Sequence, residues 1–134
     1  MKYLDSNVFL YPILYEGKKT DNAQAILMEM VEGDIHCITA SLTLDEVIWI
    51  VSKKISRKKA LEIGKDILEL PNLKILDVTA KDILVSIDLM ERYAHLKPRD
   101  AIHSAVCMNA GVFTMVSDDN DFDGIEEINR EALG

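Results

Sequence analysis

At 134 residues the chain has the length of one domain with a single core, expected to run over residues 1–134. It is 49% hydrophobic and 28% charged, as in soluble globular proteins, and no apolar run reaches the roughly 18 residues that span a bilayer. Its net charge of −8 excludes a general nucleic-acid sponge, and its two cysteines exclude a disulfide framework or a cysteine zinc site. Asp5 interrupts the short apolar start, so no signal peptide is expected there. The expected location is the cytoplasm, with Cys37 and Cys107 buried and reduced.

Along the chain, strands alternate with helices. Lys2-Tyr3-Leu4 reads as a short buried strand ending at Asp5. Asn7 is placed to cap a helix over Val8 to Leu14, which Pro12 would shorten. A break at residues 17–21 precedes a helix over 21–32, then a strand at residues 35–39. Ser41 is placed to cap a helix whose Leu44, Val47, Ile48 and Val51 follow i, i+3, i+4, i+7 spacing. Ser56 opens another helix through Leu70, and residues 73–78 form a third strand. Thr79 caps a helix running to about Tyr93, and Arg99 to Asn109 form the next, stopped by Gly111. Val112 to Val116 is a fourth strand, and Gly124 to Ile128 a short fifth. This alternation predicts an α/β domain with a central, mainly parallel sheet of four to five strands flanked by helices.

Such sheets place their sites beyond the carboxyl ends of the strands. Asp5 follows the first strand, and Asp118, Asp119 and Asp121 follow the fourth. Glu46 and Asp100 fall in early helical turns, at the rim of the same edge. Converging carboxylates suit Mg²⁺ or Mn²⁺, which prefer oxygen ligands. A cation held in this way activates water against a phosphodiester. Asp5, Asp100 and Asp119 are the expected metal ligands, with Glu46 and Asp121 completing the catalytic acids. Ser6, Asn7 and Ser117 are placed to position substrate.

Each feature also has an ordinary structural explanation. Asp5 could make a turn, Glu46 could be a solvated helix residue, and Asp100 suits a helix N-terminus by charge alone. Starting an EF-hand at Asp119 puts Gly124 at position six but Arg130 at twelve, so that pattern fails. His103, one turn after Asp100, reads as a packing or hydrogen-bonding residue rather than a ligand. Trp49 reads as core or interface. Lys53, Lys54, Arg57, Lys58 and Lys59 form a basic cluster that is either a solvated face or an aid to RNA binding.

The order of these motifs resembles the PIN-domain family, in particular its small VapC-like ribonucleases. Tyr3-Leu4-Asp5-Ser6-Asn7-Val8 is similar to the family's first motif, an apolar strand followed by Asp-Ser/Thr-Asn/Ser. Thr43-Leu44-Asp45-Glu46-Val47 resembles the second, with Glu46 as its acid. Pro98-Arg99-Asp100-Ala101-Ile102-His103-Ser104-Ala105 resembles the third. The fourth is matched by residues 116–123, through Ser117, Asp119, Asp121 and Phe122.

The resemblance implies a divalent-metal-dependent endoribonuclease, with an RNA substrate and a homodimer as the frequent state. It further implies a cognate antitoxin that blocks the site. The apolar excess of the helix around residues 41–52 points to the same dimer, through the first half of the chain. Two rival functions stand beside it. A haloacid-dehalogenase-like phosphatase also starts with Asp after a first strand, but needs a second Asp where this chain has Asn7. A non-catalytic PIN-like binding module would not need the full set of acids.

Overall fold

The computed structural model describes residues 1–134. Five short strands, β1 (Lys2–Leu4), β2 (Cys37–Ala40), β3 (Leu73–Leu76), β4 (Thr114–Val116) and β5 (Asn129–Glu131), form one sheet in the order β3-β2-β1-β4-β5. Every neighbouring pair is parallel. The helices are α1 (Ser6–Leu14), α2 (Lys18–Val31), α3 (Ser41–Lys54), α4 (Arg57–Leu68), α5 (Ala80–Arg92) and α6 (Pro98–Asn109). A 3-10 turn covers Asn120–Gly124.

Successive strand residues point to opposite faces of a sheet, and this rule divides the core in two. Leu4, Cys37 and Val116 face a cluster completed by residues of α1 to α4. Tyr3, Ile38 and Met115 face a second cluster with Leu89 of α5, Ala101 and Ala105 of α6, and Phe122. The chain runs β1 to β2 to β3 in one direction, then returns to place β4 on the other side of β1. Strand order therefore reverses between β1 and β4. That is the crevice where open α/β sheets build their sites.

Two expectations about local structure are corrected. Asp5, rather than Asn7, caps α1, and its carboxylate accepts from the Ser6 amide. Asn7 is thereby freed for longer-range bonds, described below. The fifth strand lies at Asn129–Glu131 rather than at residues 124–128. Phe122, Ile125 and Ile128 are buried, and their three-residue spacing belongs to turns, not to a pleated strand. The edge strand itself is polar, because it contributes backbone bonds while its neighbours supply the apolar cover.

The reason given for a dimer through α3 is also corrected. Thr43, Leu44, Val47 and Val51 of that helix are buried within the chain. Its second side packs on α4, where Gly64 allows Ile48 to approach; a Cβ at Gly64 would stand 2.9 Å from Ile48 Cδ1. Trp49 alone among the large apolar residues of α3 stays exposed, at 55%.

The Thr79 cap is a full capping box. Thr79 N donates to Asp82 Oδ2 at 2.9 Å, Asp82 N donates to Thr79 Oγ1, and Asn109 Nδ2 of α6 donates to Asp82 Oδ1 at 2.7 Å. Burial pushes the Asp82 carboxyl up, but the bonds from Asn109 and Thr79 and the charge of Lys81 outweigh it and hold it below the usual range. A depressed carboxylate stabilises the fold above its unfolded pKa, and that contribution is lost as pH falls through the folded value. Asp82→Ala is expected to lower stability by about 1–2 kcal/mol at pH 7. The gap to wild type should narrow once pH falls below about 4. Denaturant titrations at both pH values measure this. Equal gaps would mean that the carboxylate charge plays no part.

Candidate active site

Asp5 stands just beyond β1 and Ser117 just beyond β4, the two strands that flank the crevice. Asp5 is 5% exposed, and all of its bonds are internal. Ser6 N donates to Oδ1 at 2.8 Å, and Ser117 Oγ donates to Oδ2 at 2.7 Å. Asn7 acts as a brace between the two strand ends. Its amide nitrogen donates to Asp5 Oδ2 and Ser117 Oγ, and its Oδ1 accepts from Asp118 N at 3.2 Å. Ser117, fully buried, also accepts from Asp119 N at 3.0 Å. Of the three residues expected to position substrate, Asn7 and Ser117 therefore direct their bonding to the acids themselves. Only Ser6 keeps a side chain free of such bonds.

The four acids at residues 118–123 separate by partner. Asp118 Oδ2 accepts from the Tyr11 hydroxyl at 2.6 Å, and Asp118 Oδ1 lies 3.0 Å from Lys19 Nζ. Asp123 is held by Arg130 through two bonds of 2.7 and 2.9 Å. Asp119 and Asp121 are left to face Asp100, which enters from the first turn of α6 after Pro98 at N1. Carboxylate oxygens of Asp100, Asp119 and Asp121 lie within 4.8 Å of one another. A second group, Asp5, Glu46 and His103, meets the same criterion. The expected ligand trio of Asp5, Asp100 and Asp119 is thus divided between two adjacent groups. A cleft of about 480 Å³ lined by Glu46, Lys97, Pro98, Arg99, Asp100, Asp119 and Asp121 joins Glu46 to the first group.

His103 is the residue that sequence reasoning undervalued. It is 1% exposed. Its Nε2 lies 2.5 Å from Glu46 Oε1 and 3.8 Å from Asp5 Oδ1, and its Nδ1 lies 2.6 Å from the Tyr3 hydroxyl. A carboxylate only accepts, so Nε2 carries the proton; in the neutral ring Nδ1 then accepts from Tyr3. The i, i+3 spacing from Asp100 was the available signal, but a Tyr3 partner a hundred residues away is invisible in sequence.

The charges of this site strain one another. Burial first, and then the charges of Asp119, Asp5 and Asp121, push the Asp100 carboxyl up to about 6. Burial also raises Asp5, against the opposing effects of His103, Ser117 and Ser6. His103 loses basicity to burial, but its bond to Glu46 and the charges of Asp5, Glu46 and Asp100 more than restore it, leaving it raised. Lys97 and Arg99 line the cleft but pair with none of these acids, and mutually repelling, unpaired carboxylates are a donor set that suits a hard divalent cation. The two thiols are elsewhere and inert, Cys37 pushed up to about 11 and Cys107 to about 12 by burial.

Comparison with known proteins places this architecture. The family model described as PIN domain matches residues 2–128. The chain belongs to the PIN-domain family. This PIN domain is 26% identical over 132 residues to Ribonuclease VapC13 of Mycobacterium tuberculosis, an alignment covering 98% of the chain and 100% of that relative. Its fold is shared with VapBC2 from Rickettsia felis, solved bound to a promoter DNA fragment, at a TM-score of 0.77 and 20% identity over 98% of each chain. It is shared too with VapC20 of Mycobacterium tuberculosis, a toxin that cleaves the sarcin-ricin loop, at a TM-score of 0.77 and 15% identity, covering 96% of this chain and 98% of that one. The family match disfavours the phosphatase reading. So does Asn7, which braces Asp5 where that chemistry calls for a second acid.

Proposed function

We propose that this PIN domain is a divalent-metal-dependent endoribonuclease that hydrolyses RNA phosphodiester bonds, working in the cytoplasm as the toxin of a toxin–antitoxin pair. We further propose that residues 1–134 act as one domain. The observation that carries this reading is the convergence of acids from three chain segments, Glu46, Asp100 and Asp119 with Asp121, on one cleft, with Asp5 grouped beside Glu46, in a chain of this family. The relatives named above support RNA as the substrate class, and the VapBC complex supports an antitoxin partner.

Asp100, Asp119 and Asp121 would hold Mg²⁺ or Mn²⁺, with Asp5 and Glu46 beside them. When bound, such a cation lowers the pKa of a coordinated water and offsets charge on the phosphoryl oxygens. The chain supplies the rest. Glu46 lines the cleft and is oriented through Oε1 by His103, which leaves Oε2 without a protein partner and available to accept a proton from an attacking water. Asp5, fixed by Ser6 and Ser117, provides negative charge behind the site and sustains the raised basicity of His103. Ser6 is the residue proposed to touch the scissile phosphate; Asn7 and Ser117 keep the acids in place. Ribonuclease activity is expected to vanish in EDTA and return with Mg²⁺ or Mn²⁺. Cleavage that continues unchanged in excess chelator would rule out the metal mechanism.

A homodimer belongs to the same proposal, through a surface other than the one expected. With α3 packed on α4, α5 carries three exposed apolar residues within five positions, Ile83, Leu84 and Ile87, against two each on α2 (Met28, Val31) and α4 (Leu61, Leu68). A symmetric partner is the common way to bury such a stripe. Sedimentation of wild type at micromolar concentration is expected to give twice the 15.1 kDa chain mass, and Leu84→Glu to give a monomer. A wild type that sediments at 15.1 kDa removes the dimer.

A further inference from the structure

Trp49 has no internal reason to be exposed. The other large apolar side chains of α3 are at least half covered, while this indole lies open one turn beyond Glu46, at i+3 on the same helix face. It lines a cleft of about 120 Å³ with Asp45, Glu46, Ile50 and Arg99. Glu46 and Arg99 also line the cleft of Asp100, Asp119 and Asp121, so the two depressions adjoin. The Lys53 ammonium, one turn further along α3, lies over one face of the indole, 3.8 Å from its centroid, so a base that stacks on that face displaces the ammonium toward a phosphate. Lys53, Lys97 and Arg99 are exposed, and none forms an ion pair with an acid of the chain.

We infer that Trp49 is a stacking platform for a base of single-stranded RNA next to the scissile phosphate, with Arg99 and Lys53 contacting the phosphates on either side of that base. The inference rests on the ribonuclease reading and names the part of the site that grips substrate. Every base has a flat π-face, so an open aromatic ring is a general device for holding unpaired RNA. Its distance from Glu46 is set by one helical turn, which suits a neighbouring nucleotide. The cations answer a separate need: a chain of net charge −8 must draw a polyanion to an acidic cleft. A protein partner is the weaker fit to this spot. Apart from Trp49 and Ile50 the lining is charged, whereas the centre of a protein contact is depleted of charge.

Trp49 is the single tryptophan, so its fluorescence reports on this position alone. The first measurement titrates the cleavage-impaired Asp100→Asn protein with an eight-nucleotide single-stranded RNA, and with the same strand made abasic at each position in turn. The intact strand is expected to quench the indole. One abasic position is expected to abolish the quenching and weaken binding about tenfold. The second measurement is steady-state cleavage by otherwise wild-type enzyme. Trp49→Ala is expected to raise KM about tenfold with little change in kcat, and Trp49→Phe to restore most of the loss. No quenching, together with an unchanged KM in Trp49→Ala, overturns the stacking site while active wild type preserves the ribonuclease reading. Wild type that neither binds nor cleaves RNA overturns both. A Trp49→Ala protein with normal RNA kinetics but an altered sedimentation coefficient assigns the indole to a protein contact and likewise overturns the inference.

Discussion

Asp100→Asn is expected to lower RNA cleavage by more than about 100-fold at saturating Mg²⁺, beyond the roughly 10–100-fold cost of disturbing a residue that only orients a ligand. The side chain stays nearly isosteric, but one of the charges that would hold the cation is gone. The same change is expected to stabilise the metal-free protein. The Asp100 carboxyl is raised to about 6 in the fold, against about 3.9 for an ordinary Asp. A raised acid binds its proton more tightly when folded, so the metal-free wild type loses stability as pH climbs from about 4 to about 6. Asparagine carries no such dependence. Solvent screening of a partly exposed group keeps the expected gain near 1 kcal/mol at pH 7. Thermal melts in EDTA read the gain, and melts with added Mg²⁺ should raise wild type more than the variant. Activity within tenfold of wild type at saturating metal would show Asp100 to be structural.

His103→Ala is expected to have the largest effect on stability, a loss of about 2–4 kcal/mol. Two costs combine. A buried ring is deleted, leaving a cavity beside Tyr3, whose ring it meets edge-on at 5.8 Å. The Tyr3 hydroxyl, fully buried, and Glu46 Oε1 each lose a partner. Cleavage should fall about 10–100-fold as well, because Glu46 is no longer oriented. His103→Gln keeps a donor on a shorter reach and is expected to recover part of the stability. Urea titration provides the measurement. A shift of the unfolding free energy below about 0.5 kcal/mol would mean that Tyr3 and Glu46 find other partners, and the bridging role would fail.

The identity and order of the elements were legible in the chain because their causes are local. Strand β1 is a short apolar run, Ser56 and Thr79 accept from the amides that an N-cap satisfies, and Pro98 stands at N1 of α6. The acids were legible too, since Asp5, Glu46, Asp100 and Asp119 stand at strand ends and in early helical turns in the order of a known family. Local rules misplaced β5 at residues 124–128, where the apolar Ile125 and Ile128 are buried in turns, while the hydrogen-bonding edge lies in the polar residues after them.

Partnership across the chain was the part that no local pattern carried. In sequence, Asp118, Asp119, Asp121 and Asp123 are four equivalent acids of one loop. In the fold, Tyr11 and Lys19 take the first and Arg130 takes the last, so that Asp119 and Asp121 meet Asp100. His103, expected to pack or to hydrogen-bond, received its partners in the same way and links Tyr3 to Glu46. Gly64 let α4 cover the second side of α3, which left Trp49 as the residue in need of an explanation. Residue type and helix or strand period are short-range properties, so the chemistry open to the chain can be read along it. Which oxygens share a cleft and which are neutralised depends on distance in space, because electrostatic and hydrogen-bond partners meet across 112 positions for Ser117 and Asp5 and 129 for Lys2 and Glu131.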